Sequence, residues 1–560
     1  MTMNLGNFQS QYQAGIDDLD QNRILSRIWA IDHTVWKHEP TEITNRLGWL
    51  HIVNEMQTRI SEIQEFVQSV LSDGYTQAVL LGMGGSSLAP ELFARIFGVQ
   101  PGYLQLSVLD STDPGAVQAL AAQLDLPRCL FVVSTKSGTT EETLSFFKYF
   151  YNALLAHVEP EKAGSHFVAI TDPGTHLVTL ADRLRFRKVF QNNPNIGGRY
   201  SALSYFGLVP AAFCGVDLEL MLIRATNMVS ICSSVTPAAL NPAAQLGSAL
   251  GNLACAGRNK LTIFTHPAIA SFGDWVEQLV AESTGKEDAG IVPIIGEPVS
   301  LPQLYGSDRL FVMITYSGDT SLDQFSQALQ AAGHPVIHIN LTDMYDLGGQ
   351  FFLWELTTAI ASYFLRINPF DQPNVESAKK AARAMVAEYQ HSGRLPSLVP
   401  ALAEDGISVF GETEADTPGE ALRSFLSNTR PGDYIALQAF IKPDDNTAAA
   451  LNNLRENLLD TYHLATTVGY GPRFLHSTGQ LHKGDSGRGW FIQLTADHPQ
   501  DILIPLDAGR PESIISFGIL EYAQALGDRQ ALLDAGRHVL RLHLAGDVAE
   551  KIRFLASNIQ

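Results

Sequence analysis

From Ala78 onward, short apolar runs alternate with helical patterns, and that alternation restricts the fold more than any other feature of the chain. AVLLG is followed by LAPELFARIFG, LQLSVLD by GAVQALAAQL, CLFVV by EETLSFFKYFYNALLAHV, and then comes HFVAIT at 166–171. Strands linked through helices cannot pair by tight hairpins, so they pair in parallel, and a parallel sheet needs helices over both faces. A second series follows, with KLTIFT at Lys260–Thr265, GIVPII at Gly290–Ile295, RLFVMITY at Arg309–Tyr316 and PVIHINL at Pro335–Leu341. VVSTKSGTTEETL and MITYSGDTSLDQF share the order strand, Ser-Gly turn, hydroxyl, helix start, which suggests an internal duplication. The pattern predicts an α/β fold with two similar parallel-sheet domains, at 71–235 and 236–390. A helical segment over 1–70 precedes them, because ILSRIWAIDHTVW and ITNRLGWLHIVNEMQTRISEIQEFVQSVL carry apolar residues at helical spacing. A C-terminal α/β region over 391–560 follows a linker-like HSGRLPSLVP, with strand candidates ISVFG, DYIALQAFI, GWFIQLT and DILIPL and closing helices.

With 560 residues, 45% of them hydrophobic and 17% charged, the chain can bury two or three cores. Its formal net charge of −20 argues against nucleic-acid binding and against an anionic membrane surface, so an anionic ligand must meet local cations. Cys129, Cys214, Cys232 and Cys255 lie far apart without CxxC spacing, the pattern of thiols in a reducing compartment. The start MTMNLGNFQSQYQ has no basic or apolar signal region. FFLWELTTAIASYFL at Phe351–Leu365 is too short for a bilayer and carries Glu355, which predicts a buried helix. A soluble, cytoplasmic protein is expected.

The first strand-to-helix turn is LLGMGGSSLAPELF, Leu80–Phe93. Gly82, Gly84 and Gly85 let the backbone approach a ligand, and Ser86 or Ser87 can cap the helix, so its free N–H groups suit a phosphate. A dinucleotide turn, with Asp110 on a ribose, is disfavoured because GMGGSS lacks the third glycine of that fingerprint. STKSGTTEETL reads as a second cradle: Thr135, Ser137, Thr139 and Thr140 offer hydroxyls, Lys136 offers charge, and Glu141-Glu142 open the next helix. Two such loops at neighbouring strand ends point to one phosphate held by both.

Together GMGGSSL, STKSGTTEET, NIGGRYSALS at 195–204, EQLVAESTGKEDAGI at 277–291 and NPFDQPNVESAKK at 368–380 resemble the phosphoglucose isomerase family, built from two sugar isomerase (SIS) domains. The resemblance spans most of residues 40–390 and implies interconversion of glucose 6-phosphate and fructose 6-phosphate through an enediol(ate), with no redox cofactor. It implies Glu282 as the isomerising base, Gln278 and Gln372 at the substrate, Arg199 at the enediolate oxygens and Lys379 in ring opening. It further implies phosphate contacts from Gly85, Ser86, Thr135, Lys136, Ser137 and Thr140, and a homodimer. These roles suit the residue types: a carboxylate can shuttle a proton between two carbons, and a fixed guanidinium can stabilise charge as it develops. GYGPRFLHSTGQLHKG at 469–484 resembles the C-terminal part of transaldolase/phosphoglucose isomerase fusion proteins, which implies a separate transaldolase acting alongside.

Two departures stand out. The family carries a ring-opening histidine downstream of the base, supplied across a dimer interface, but GEPVSLPQLYGSDRL at 296–310 contains none. HSTGQLHKGDSGRG concentrates His476, His482, Lys483 and Arg488, so the C-terminal region is expected to supply the histidine, with His476 assigned to the site. A metal site is not expected, since His476 and His482 lack completing ligands. Asn374 replaces the family's glycine, which a left-handed backbone would accommodate. The rival readings are a non-catalytic sugar-phosphate sensor and an isomerase of a related substrate such as mannose 6-phosphate.

Overall fold

Runs of fully buried residues form the central strands of three sheets in a computed structural model that describes residues 1–396 and 398–559. Position 397, inside the linker-like stretch, and position 560 lie outside the described residues. In the first sheet Gln105–Leu109, Gln77–Gly82, Cys129–Ser134, Phe167–Thr171 and Lys188–Gln191 lie side by side in that order, all parallel. By chain position this is the doubly wound order 2-1-3-4-5. The second sheet sets Val292–Ile295, Lys260–Thr265, Arg309–Tyr316 and Val336–Leu341 in the same 2-1-3-4 succession. Thr2–Asn4 fills its fifth position, antiparallel to Val336–His338. This shared order agrees with the duplication seen in the two Ser-Gly loops.

The C-terminal region repeats the order a third time. Ala465–Tyr470, Tyr434–Phe440, Gly489–Ala496 and His538–Leu544 run parallel, with Ile407–Phe410 antiparallel in the fifth place and Leu402–Glu404 beyond it. DILIPL is a strand, as the sequence reading has it, but stands outside this sheet. Leu503–Asp507 instead makes a two-stranded antiparallel hairpin with Arg510–Ser516 and packs on the helix Glu141–Leu154. The N-terminal segment also departs from an all-helical reading. Its helices are Gln9–Gln21, Ile24–Trp29, Ile52–Gln57 and Ile60–Ser72, while Thr2–Asn4 is a strand. Three residues carry no periodicity, and what draws them into a sheet is a neighbour with unpaired backbone groups. ILSRIWAIDHTVW is helical only to Trp29, since Ile31 turns left-handed at φ 59° and Asp32 accepts from Thr34 N–H.

The C-terminal region is wedged into the other two rather than appended. Phe517, Leu520 and Ala523 of the helix Phe517–Asp534 share an apolar cluster with Phe146, Phe150 and Val133 of the first domain. Tyr434, Ala436, Leu481 and Phe491 share another with Ala281, Val292 and Ile294. Arg473 enters a nest of acids, bridging to Glu91 and lying 3.4 Å from Asp110, while Ser87 donates to Asp110 at 2.9 Å. Leu347–Leu365 is a helix buried along nearly its whole length, and burial pushes the Glu355 carboxyl well above its ordinary pKa. Among the described residues no helix is long and apolar enough to cross a membrane.

Candidate active site

In the 2-1-3-4-5 order the chain reverses direction between the first and third strands, and the crevice beyond their carboxyl ends is where such sheets bind ligands. In the first sheet those strands are Gln77–Gly82 and Cys129–Ser134, which deliver the two loops singled out above. A cavity of about 850 Å³ opens there. Gly85, Ser86, Lys136, Ser137, Thr140 and Arg199 line it from the first domain, and Gln278, Glu282, Gln372 and Lys379 from the second. Leu475, His476, Lys483, Leu520 and Gln524 close it from the C-terminal region.

The glycine turn is shaped by two close approaches. Gly84 sits at φ +55°, and a Cβ there would lie 2.8 Å from the His476 carbonyl oxygen. A Cβ on Gly85 would lie 2.0 Å from the Gly198 carbonyl oxygen, so this position admits only glycine while the Gly198–Tyr200 turn keeps its place. Neither Ser86 nor Ser87 caps the helix Leu88–Phe97 with its side chain, unlike the sequence expectation. Ser87 is occupied by Asp110 and the Gly84 carbonyl. Thr135 lies behind the cavity wall, its hydroxyl 2.8 Å from that of Thr140. Lys136 is ion-paired with Asp172 and donates to the Pro194 carbonyl at 3.2 Å, so its charge reaches the cavity partly neutralised. Burial raises the Asp172 pKa while Lys136 pulls against it.

Glu282 and Gln278 stand one turn apart on the helix Ala270–Thr284, and Gln278 Nε2 donates to Glu282 Oε2 at 3.2 Å. Arg199 NH1 lies 3.2 Å from Glu282 Oε1. The guanidinium is 2% exposed and fixed on every side, donating to Ser283 Oγ at 2.7 Å, Gln372 Oε1 at 3.0 Å and the carbonyls of Pro369 and Asp371. Such a group needs no reorganisation when charge develops beside it. Beneath it, Lys286 bonds Asp371, and burial followed by the charge of Arg199 lowers its pKa to about 8. Lys379, on Val375–Ser392, reaches Glu376 at 3.4 Å. Asn374 has right-handed torsions, φ −88° and ψ −15°, so the left-handed account of its glycine replacement fails. Asparagine serves Gln480 instead, accepting its Nε2 at 2.7 Å and donating backbone N–H to its Oε1 at 2.9 Å.

His476 comes from the short turn Arg473–His476, on the crossover between the second and third strands of the third sheet. Its Nε2 lies 3.0 Å from Glu142 Oε1, and its carbonyl accepts Gln278 Nε2 at 2.8 Å. Burial works to raise the Glu142 pKa, but His476, the residue's own backbone N–H and Lys379 outweigh it and hold the carboxyl below its ordinary value. His482 is not in the cavity. It packs between Phe474 and Phe491 beside Gln438, and burial lowers its pKa well below the imidazole range. Arg488 pairs with Asp433 on the far side of the region, and Lys483 is ion-paired with buried Asp528. Sequence reading missed the site roles of Glu142 and Gln524. For Glu142 a signal existed, because it shares a helical face with Phe146 and Phe150 while Glu141 does not. Away from the cavity, Asp113, His498 and Glu521 place ligand-type atoms within 4.8 Å of one another. The two His498 nitrogens face different acids, Nδ1 3.6 Å from Asp113 and Nε2 3.0 Å from Glu521, which is the arrangement of an imidazolium between carboxylates.

A doubly wound sheet pair with a hydroxyl-lined cradle at the switch point and an acid held by arginine and glutamine opposite defines an α/β protein of the SIS type. Two solved structures share this fold: a hypothetical protein of Thermus thermophilus (TM-score 0.59, 24% identity, 69% of this chain and 100% of that one) and a glucose-6-phosphate isomerase of Chlamydia trachomatis (TM-score 0.52, 20% identity, 65% and 78%). The family model for phosphoglucose isomerase matches residues 40–291. A glucose-6-phosphate isomerase of Rubrobacter xylanophilus is 30% identical over 369 residues, 57% of this chain and 84% of that protein. One of Thermosynechococcus vestitus is 28% identical over 387 residues, 60% of this chain and 72% of that protein. The chain belongs to the phosphoglucose isomerase family.

Proposed function

We propose that this protein is an aldose–ketose isomerase interconverting glucose 6-phosphate and fructose 6-phosphate. The observation that carries the reading is the Glu282 carboxylate, set between Arg199 and Gln278 and lining the same cavity as the hydroxyl loops. The phosphate sits against Gly85, Ser86, Ser137 and Thr140, with Thr135 and Lys136 supporting the second loop, where donors to a dianion bind most strongly. His476 and Lys379 open the sugar ring: one group takes the proton of the anomeric hydroxyl as the other gives one to the ring oxygen, and the ring C–O bond breaks. Glu282 then moves a proton between C2 and C1 while Arg199 balances the enediolate, and Gln278 and Gln372 hold the base and the guanidinium in place. These steps exchange protons alone and call for no redox cofactor.

Every residue assigned here is carried by one chain, with the C-terminal region in the role the family gives to a partner subunit. Dimerisation and a separate transaldolase acting alongside rest on the sequence resemblance. Free cysteines, three of them buried, support a reducing cytosol as the place of action. A coupled assay tests the reading: fructose 6-phosphate with glucose-6-phosphate dehydrogenase and NADP gives NADPH, and Glu282→Gln lowers turnover by about 10²–10⁴. Binding of the sugar phosphate without turnover by the wild-type protein would identify a sensor instead.

A further inference from the structure

Glu142 Oε1 receives two donors, and only one of them is His476. The other is Gln524 Nε2 at 2.7 Å, from the helix Phe517–Asp534 of the C-terminal region. Gln524 Oε1 in turn accepts the Thr112 hydroxyl at 2.9 Å, from the loop beyond the first-domain strand Gln105–Leu109. All four residues are buried or nearly so, and they come from four separate segments.

We infer that Gln524 is a positioning residue for ring opening, orienting Glu142 and through it His476; this inference rests on the role given to His476 above. The physical argument begins with the carboxylate. An ionised Glu142 can only accept hydrogen bonds, so the NH₂ group of Gln524 must face it, which leaves the amide oxygen for Thr112. The same requirement puts a proton on His476 Nε2 and leaves Nδ1 as the nitrogen that exchanges a proton with the sugar. Glu142 opens the helix Glu141–Leu154, where the helix dipole also favours its negative charge. A carboxylate on that first turn could still swing among rotamers. Two donors converging on one oxygen from the C-terminal region fix which way it points. The helix that carries Gln524 also packs against Val375–Ser392, the helix of Lys379: a Cβ on Gly527 would lie 2.7 Å from Ala382 N and 3.0 Å from the Ala378 carbonyl oxygen. One helix therefore holds both groups assigned to ring opening, with Gln524 the polar contact.

The test uses the full-length protein and two substrates. Fructose 6-phosphate must be ring-opened, whereas a 5-deoxy ketohexose 6-phosphate cannot close a furanose ring and needs only the proton shuttle, read as deuterium uptake from solvent. Gln524→Leu should lower kcat for fructose 6-phosphate by about ten- to hundredfold with little change in KM, the size expected for a misplaced group. It should leave deuterium uptake by the acyclic substrate intact. Gln524→Glu sets a second carboxylate against Glu142 and should move the histidine-controlled limb of the pH profile upward by about one unit. Folded Gln524 variants with unchanged rate and pH profile overturn the inference, as does Gln524→Leu slowing both substrates equally. If Gln524→Leu does not fold, the profile of the near-isosteric Gln524→Glu decides. His476→Gln separates the layers. Full turnover of the cyclic substrate by that variant removes the role of His476 and the relay with it. Loss in His476→Gln without any effect at Gln524 removes the relay alone.

Discussion

Replacing Gly85 by alanine puts one methyl group into the tightest backbone contact of the site. The new Cβ would stand 2.0 Å from the Gly198 carbonyl oxygen, 2.3 Å from its carbon and 2.9 Å from Arg199 N, all backbone atoms with no flexible end to yield. Real Cβ atoms do not approach within 3.0 Å, so the two turns must separate by about 1 Å. The Gly198–Tyr200 turn carries Arg199, whose NH1 is 3.2 Å from Glu282. A shift of that size breaks the pairing of guanidinium and base. Overpacking should cost about 1–3 kcal/mol of stability, and the misplaced arginine up to about a hundredfold in kcat/KM. Gly198→Ala is the control. It touches the same contact from the other side, has nothing within 4 Å of its Cβ and no positive φ, and should unfold at the wild-type denaturant midpoint. Coupled NADPH kinetics and urea denaturation of both variants provide the readout. Wild-type kcat/KM and stability in Gly85→Ala would refute the claim that this glycine exists for the arginine turn.

Other outcomes follow from buried charge. Burial, with Asp274 adding to it, pushes the Glu277 pKa up to about 8, and burial pushes that of Asp274 up to about 6. Both acids hold their protons more tightly folded than unfolded, so the stability they contribute is present below their unfolded pKa and is lost as pH rises through the folded values. Melting temperature should therefore fall between pH 5 and about 8, and Glu277→Gln should gain at pH 8.5 but not at pH 5; parallel curves would contradict this. Asp528→Asn strands the Lys483 ammonium, which is 5% exposed, and should cost about 3–5 kcal/mol in urea denaturation. Mixing Glu282→Gln with His476→Gln should restore no activity, because both residues belong to one chain's cavity; recovery on mixing would place the histidine in a neighbouring subunit.

Much of the cavity was legible because its chemistry lies in contiguous loops. GMGGSS and STKSGTT follow strands of unbroken apolar character, and the switch-point rule brings such loops together whatever the remainder of the chain does. Glu282 and Gln278 were legible through the family resemblance, and their four-residue spacing added only that they share one helix face. The third sheet was harder to see. Its third and fourth parallel strands, Gly489–Ala496 and His538–Leu544, are separated by 497–537, a stretch that holds the hairpin of Leu503–Asp507 with Arg510–Ser516 and the helix Phe517–Asp534 and so hides their pairing.

The amino-acid order alone determined the α/β class and the paired cradle loops, because each depends on neighbours within a few positions, while the residues for proton transfer came from the family resemblance of five separate motifs. Tertiary structure decided which histidine reaches the cavity, that this histidine meets Glu142, and that Gln524 touches the same carboxylate. Those choices are made across separations of hundreds of residues, by apolar faces that bury only in one docking of the C-terminal region. Hydrophobic burial is non-directional, so the pairing of distant polar groups follows from shape and is not written in any local pattern.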